Sequence, residues 1–172
     1  MAAPDGIIDA LDREPPTATI GTRWELIADR VMGGVSAGET ERAQVEGRTA
    51  LRMRGEVSLE NNGGFVQVAL DLAPDGGAVD ARRWTGIELD VFGNGERYNL
   101  HLRTADVSRP WQSYRAAFVA TPEWRTVRLP FARFEPHRID APLDLSRLRR
   151  LGIVAIGRAF SADIAIGRLQ FY

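Results

Sequence analysis

The sequence predicts an all-β protein: an antiparallel β-sandwich or jelly roll of roughly eight to ten strands, with short helical turns. Three observations carry this reading. Apolar and polar residues alternate over short runs, as in half-buried strands. Gly, Asn and Pro punctuate those runs at close intervals. No stretch sustains the 3.6-residue periodicity of the crossover helices that a parallel sheet requires. A chain of 172 residues favours one domain with a sizeable core.

Residues 1–19 form a lead-in segment, in which Ile7, Ile8 and Leu11 fit one face of a short helix stopped by Pro15-Pro16. The sandwich itself spans residues 20–172. Trp24 to Ile27 is the first core strand, and Val35 to Val45, polar and mixed, suits an edge strand or hairpin arm. Thr49–Arg54 and Val57–Leu59 alternate, and Phe65–Leu72 is a strong strand with Val66, Val68, Leu70 and Leu72 on one face. Residues 73–83 read as a loop. Ile87–Val91 and Tyr98–Arg103 flank an Asn-Gly turn and are expected to pair as a hairpin. A second pair is expected from Ser113–Ala120 and Trp124–Phe131. After a Pro-containing loop, Leu143–Arg150 suits one or two helical turns, and Leu151–Ile156 and Ala162–Phe171 close the domain.

Two double-glycine corners stand out. Asp29-Arg30-Val31-Met32-Gly33-Gly34-Val35-Ser36 ends the first strand, and Glu60-Asn61-Asn62-Gly63-Gly64-Phe65 opens a later one. Met32, Gly33, Gly34, Asn61, Gly63 and Gly64 are the structural corner residues. Paired glycines beside strong strands predict at least one residue with φ > 0.

Composition removes several function classes. Net charge is −1 and every basic side chain is Arg, so no global field directs the chain to nucleic acid or anionic membrane. There is no Cys, hence no disulfide or thiolate site. No apolar run reaches the roughly 20 residues of a membrane helix. The acidic N-terminal residues argue against a transit peptide, which leaves the cytoplasm as the expected compartment. The two histidines, His101 and His137, lack the partners of a nucleophilic triad or zinc site. Gly33-Gly34-Val35-Ser36 lacks the Lys of a P-loop. Glu88 and Asp90 are better read as a solvated pair than as glycosidase carboxylates, and Arg147, Arg149 and Arg150 as a solvated basic cluster. Neither an enzyme nor a cofactor or metal site is expected.

The polar sides of the central strands are the candidate binding face. Asp90, Asn99, His101, Arg103 and Arg115 are placed there, with Tyr114 or Trp111 as apolar contact and Asn62 from the corner. Arg103 is the key member, because its planar fork can hold a carboxylate bidentately, either from a partner or from Asp90. The competing reading is an exposed face of cross-strand ion pairs.

Trp24, the two corners, Trp84-Thr85-Gly86-Ile87, Tyr98 to Arg103, Tyr114…Phe118, Glu123-Trp124…Leu129-Pro130-Phe131 and Leu151-Gly152-Ile153 together resemble the complex I intermediate-associated protein 30 family, from about Thr22 to Tyr172. The resemblance implies a galactose-binding-like β-sandwich. It also implies a non-enzymatic interaction module, an assembly factor or chaperone whose partner is a respiratory complex subunit or assembly intermediate. Where members often carry Arg after the second Gly-Gly-Phe, this chain has Val68-Ala69-Leu70. The relation to galactose-binding folds implies the alternative, a carbohydrate-binding module.

Overall fold

The computed structural model describes residues 5–172, with the side chains of Val31, Met32 and Asn62 outside the described set. Its strands are β1 (Ile7–Asp9), β2 (Glu25–Ala28), β3 (Ala37–Val45), β4 (Arg48–Val57), β5 (Phe65–Asp71), β6 (Gly86–Gly93), β7 (Arg97–Thr104), β8 (Ser113–Val119), β9 (Arg125–Pro130), β10 (Glu135–His137), β11 (Leu148–Ile156) and β12 (Phe160–Phe171). They form two six-stranded antiparallel sheets. The back sheet runs β3-β4-β12-β6-β9, with β1 also on β12, and the front sheet runs β10-β8-β7-β11-β5-β2. Four single 3₁₀ turns are the helical content of the described residues. The sandwich expectation is met.

Period-2 alternation builds the core. Leu51, Met53, Ile87, Leu89, Val91, Ile164 and Leu169 come from the back sheet. Val66, Val68, Leu70, Tyr98, Leu100, Leu102, Leu151 and Ile153 come from the front. Each is nearly water-free, and burying such a side chain stabilises the fold by about 1.5–3 kcal/mol.

Three local expectations are corrected. The runs around Asn94-Gly95 do not pair with each other. β6 pairs with β12 and β9 in the back sheet, whereas β7 pairs with β8 and β11 in the front. Likewise β8 and β9 fall in opposite sheets. Alternation says which side of a strand faces the core, but an arch across the sandwich satisfies it as well as a flat hairpin does. Second, Ile7–Asp9 is a strand rather than a helix. Asp9 is buried and its carboxylate accepts from the Leu11 amide (2.8 Å) and Trp24 Nε1 (2.8 Å), so the extended geometry satisfies a group a helix would expose. Third, the helical turn before β11 covers only Leu145–Arg147, capped by Asp144, and Leu148–Arg150 are already strand.

Candidate ligand-binding groove

The two double-glycine corners are parts of one construction around Asp29. The Asp29 side chain is fully buried. Oδ1 accepts from the Ser36 amide at 2.9 Å, and Oδ2 accepts from the Ser36 hydroxyl and from the Gly64 and Phe65 amides. Burial pushes the carboxyl up, but hydrogen bonds from the Ser36 side chain, the Gly64 amide, the Ser36 amide and the Phe65 amide outweigh it. The group therefore sits below the ordinary 3.8. The glycines follow from this. A Cβ on Gly34 would stand 2.5 Å from Asp29 Cγ, and one on Gly63 2.4 Å from its Oδ2. Gly33 (φ 86°) and Gly64 (φ 141°) have positive φ, as expected, and Asn61 is left-handed too (φ 55°). Met32 and Asn62 lie outside the described side chains.

This latch fixes one rim of a groove of about 720 Å³ that lies over the front sheet. Its floor comes from the outward side chains of β5, β11, β7 and β8. Strand register places Ala69, Gly152, His101 and Arg115 in one row, and Asp71, Arg150 and Arg103 in the next. Ala69 and Gly152 are small, which gives the row its depth. A Cβ on Gly152 would approach Gln67 Oε1 to 2.6 Å. At the corner end the lining is apolar, with Leu59, Phe65 and Ile156. At the other end stand Arg103, Arg149, Arg150 and Trp111. From the Phe65–Ile156 pair to the Asp71–Arg150 pair is six residues of register, roughly 20 Å at strand rise. Leu59 and Trp111 are 52% and 50% exposed, the two most exposed large apolar side chains described.

The sequence-derived candidates divide among different places. His101, Arg103, Arg115 and Trp111 all line the groove. Asn99 shares their strand face, opposite Val154 and Ala117, but is not part of the lining. Asp90 belongs to the back sheet, where it accepts from Arg48 (2.9 Å) and Thr126 (2.7 Å). It cannot be the internal partner of Arg103. Tyr114 is buried in the core and its hydroxyl donates to the Ala141 carbonyl (2.7 Å). Adjacent residues of a strand face opposite ways, so Tyr114 and Arg115 cannot share a face. Gln67, Gly152 and Arg150 are groove residues that sequence reasoning did not select. The parity of Phe65–Leu72 puts Gln67 outward, whereas Arg150 reads in the sequence as a solvated charge.

The electrostatics of the groove are set by burial. The His101 side chain is 9% exposed, and burial followed by the charges of Arg115, His137 and Arg103 lowers its pKa to about 3. The ring is neutral near pH 7, and its Nε2 has no hydrogen-bond partner among the described residues. Arg103 donates through Nη1 to the Pro110 and Gln112 carbonyls, both at 3.3 Å, which holds the loop carrying Trp111. Arg115 donates to the Ser113 hydroxyl at 2.8 Å. Burial, then Arg150 and Arg149, lowers the Arg103 pKa, and burial with Arg138 lowers that of Arg115. Among the described residues no group of three or more His, Asp or Glu is placed to hold a metal ion. No helix there is long and apolar enough to cross a membrane.

Similar folds are found among carbohydrate-binding modules. A family 11 module from Clostridium thermocellum, solved with a β-1,3-1,4-mixed-linked tetrasaccharide, matches with a TM-score of 0.73 at 13% identity, covering 96% of this chain and 94% of that one. A family 30 module of a cellulosomal cellulase of the same organism matches at 0.59 and 15% identity, covering 79% and 82%. At such identities the likeness concerns the fold. Residues 16–166 match the family described as complex I intermediate-associated protein 30, and the chain belongs to that family. No curated protein sequence matches it.

Proposed function

We propose that this chain is a non-catalytic interaction module that holds an extended segment of a partner protein in the front-sheet groove. The observation that carries the reading is the groove itself: a trough along about 20 Å of sheet, matched to a chain of about six extended residues. Its walls support a peptide. Ile27, Leu59, Val107, Val154 and Ile156 are aliphatic and suit apolar side chains. Trp111 alone among the lining residues is an exposed large aromatic ring. The family membership supports a partner connected with complex I assembly, acting as an assembly factor or chaperone would, and the cytoplasm remains the proposed compartment. The family membership supports the non-enzymatic part as well.

Carbohydrate is the second reading, favoured by the concavity, by Trp111 at the rim, and by the tetrasaccharide bound to the similar family 11 module. Gly152→Leu tests both. The position has no left-handed backbone requirement, and its nearest obstacle is the mobile end of Gln67, so the variant fills the trough without breaking the fold. Partners captured by the wild type from host extract are identified, purified and titrated back. Binding should vanish in Gly152→Leu with an unchanged melting temperature. Equal affinity for wild type and variant would remove the groove from the mechanism. Retention on mixed-linkage glucan that is lost in Trp111→Ala would select carbohydrate instead.

A further inference from the structure

The two outer faces of the sandwich treat their arginines differently. On the back sheet most are paired with carboxylates, although Arg168 donates to Gln170 and Arg42 to the Leu11 and Arg13 carbonyls. Arg52 grips Asp163 bidentately (2.9 and 2.7 Å), Arg54 contacts Glu39 and Glu41, Arg48 contacts Asp90 and Arg128 contacts Glu88. That face is the neutral ion-pair ladder expected of a solvated sheet. Over the front sheet the lining holds four arginines, Arg103, Arg115, Arg149 and Arg150, against a single acid, Asp71. Asp71 is already taken by Arg150 at 2.6 Å, with Glu25 adding a contact at 3.5 Å.

Arg103 and Arg115 differ from the paired arginines of the back sheet. Among the described residues neither has a carboxylate within 4 Å, although both stand in strands and are partly withdrawn from water. Glu135 is the register partner of Arg115, yet the Arg115 guanidinium turns to Ser113 instead. Between them lies His101, nine-tenths buried, whose Nε2 is unpartnered. Two unmatched guanidiniums beside an orphaned imidazole cost the free protein stability, because a withdrawn charge is favourable only when paired. An incoming anion would complete the set.

We infer that the groove's occupant is an acidic peptide segment whose carboxylates seat on Arg103 and Arg115 while its apolar residues lie toward Leu59, Phe65 and Ile156. The inference rests on the groove reading above and adds its charge and polarity. A whole-chain charge of −1 would not draw such a segment; the local arginine excess does. The separation of an apolar end from a basic end orders the segment along the sheet.

The test uses a fluorescein-labelled peptide of about six residues, apolar in one half and bearing two glutamates in the other, and its glutamine isostere. Anisotropy is measured with the full chain at roughly 50 and 300 mM NaCl. The acidic peptide should bind about tenfold or more tightly than the isostere, the margin of one charge-assisted hydrogen bond, and the advantage should shrink with salt. Arg115→Gln should erase most of that preference. It is the cleaner variant, since Arg103 also holds the Trp111 loop; Arg103→Gln should do the same and additionally weaken the isostere. Equal binding of the two peptides, or full preference in Arg115→Gln, overturns the inference. If both peptides bind equally and Gly152→Leu blocks both, the groove reading stands and the acidic inference alone falls. If Gly152→Leu blocks neither, both fall. A uronic-acid oligosaccharide that displaces the peptide and binds more tightly than it also overturns the choice of a peptide.

Discussion

Replacing Asp29 by Asn keeps the shape of the side chain and changes its chemistry at the point where both glycine corners meet. Four donors converge on the carboxylate: the Ser36 amide and hydroxyl, and the Gly64 and Phe65 amides. An amide has one acceptor oxygen. If it keeps the three donors of Oδ2, its NH₂ faces the Ser36 N–H, and that buried donor is left unsatisfied at about 1–3 kcal/mol. The remaining bonds lose their charge assistance, and relief of carboxylate desolvation returns part of the loss. The net destabilisation is about 3 kcal/mol, which for a chain of this size lowers the melting temperature by roughly 6–12 °C. The sign with pH follows from a folded-state pKa below the ordinary 3.8. The ionised carboxylate stabilises the fold above that value, and its contribution is lost as pH falls through the folded value. Thermal melts of both proteins by circular dichroism, from pH 7 to pH 3, should show the gap wide at neutrality and narrowing below pH 3.8. A variant that melts with the wild type at pH 7, or a gap that stays constant into acid, would refute the latch.

The same corner orders its glycines. Gly34→Ala and Gly63→Ala press a methyl against Asp29 and should each cost more than about 2 kcal/mol, whereas Gly33→Ala, with open space around its Cβ, should cost only the left-handed penalty of about 1 kcal/mol; equal losses in denaturant melts would show that contact with Asp29 is immaterial. Tyr98→Phe removes a hydroxyl that accepts from the Asp163 amide (2.9 Å) and donates to Asn94 (2.7 Å), so a loss of about 1–2 kcal/mol is expected. The same variant should lose phenolate absorbance only near pH 12, where burial places this phenol. Chelator should leave the melting temperature unchanged, and a drop would direct attention to an oxygen-ligand site in the loop from Asp71 to Asp80.

Much of this was legible because strands write a period of two into the sequence. Leu89, Val91, Leu100 and Leu102 could be turned inward, and His101, Arg103 and Arg115 outward, from alternation alone. Sheet membership could not. Asp90 and Arg103 sit at the outward positions of neighbouring strands, but the strands belong to opposite sheets, and the linking turn looks the same in a hairpin as in an arch. Tyr114 has the chemistry of a contact residue, but its parity in β8 turns it into the core. Asp29 stands just before a glycine pair in the sequence, but its function depends on Gly64 and Phe65, which come over thirty residues later. The useful signal was that two glycine corners supply amide donors and one acid stands beside them.

The arches also govern when the domain can form. β12 lies inside the back sheet, between β4 and β6, and pairs with β1 as well. Ser161 meets Glu56 across 105 residues of chain. During synthesis, at roughly 5–20 residues per second, β4 must wait several seconds for the strand that completes its pairing. It waits with Leu51, Met53 and Val57 uncovered and one edge open, the condition in which β-chains aggregate. The longest-range pairing of the back sheet is thus also the last that the growing chain can make.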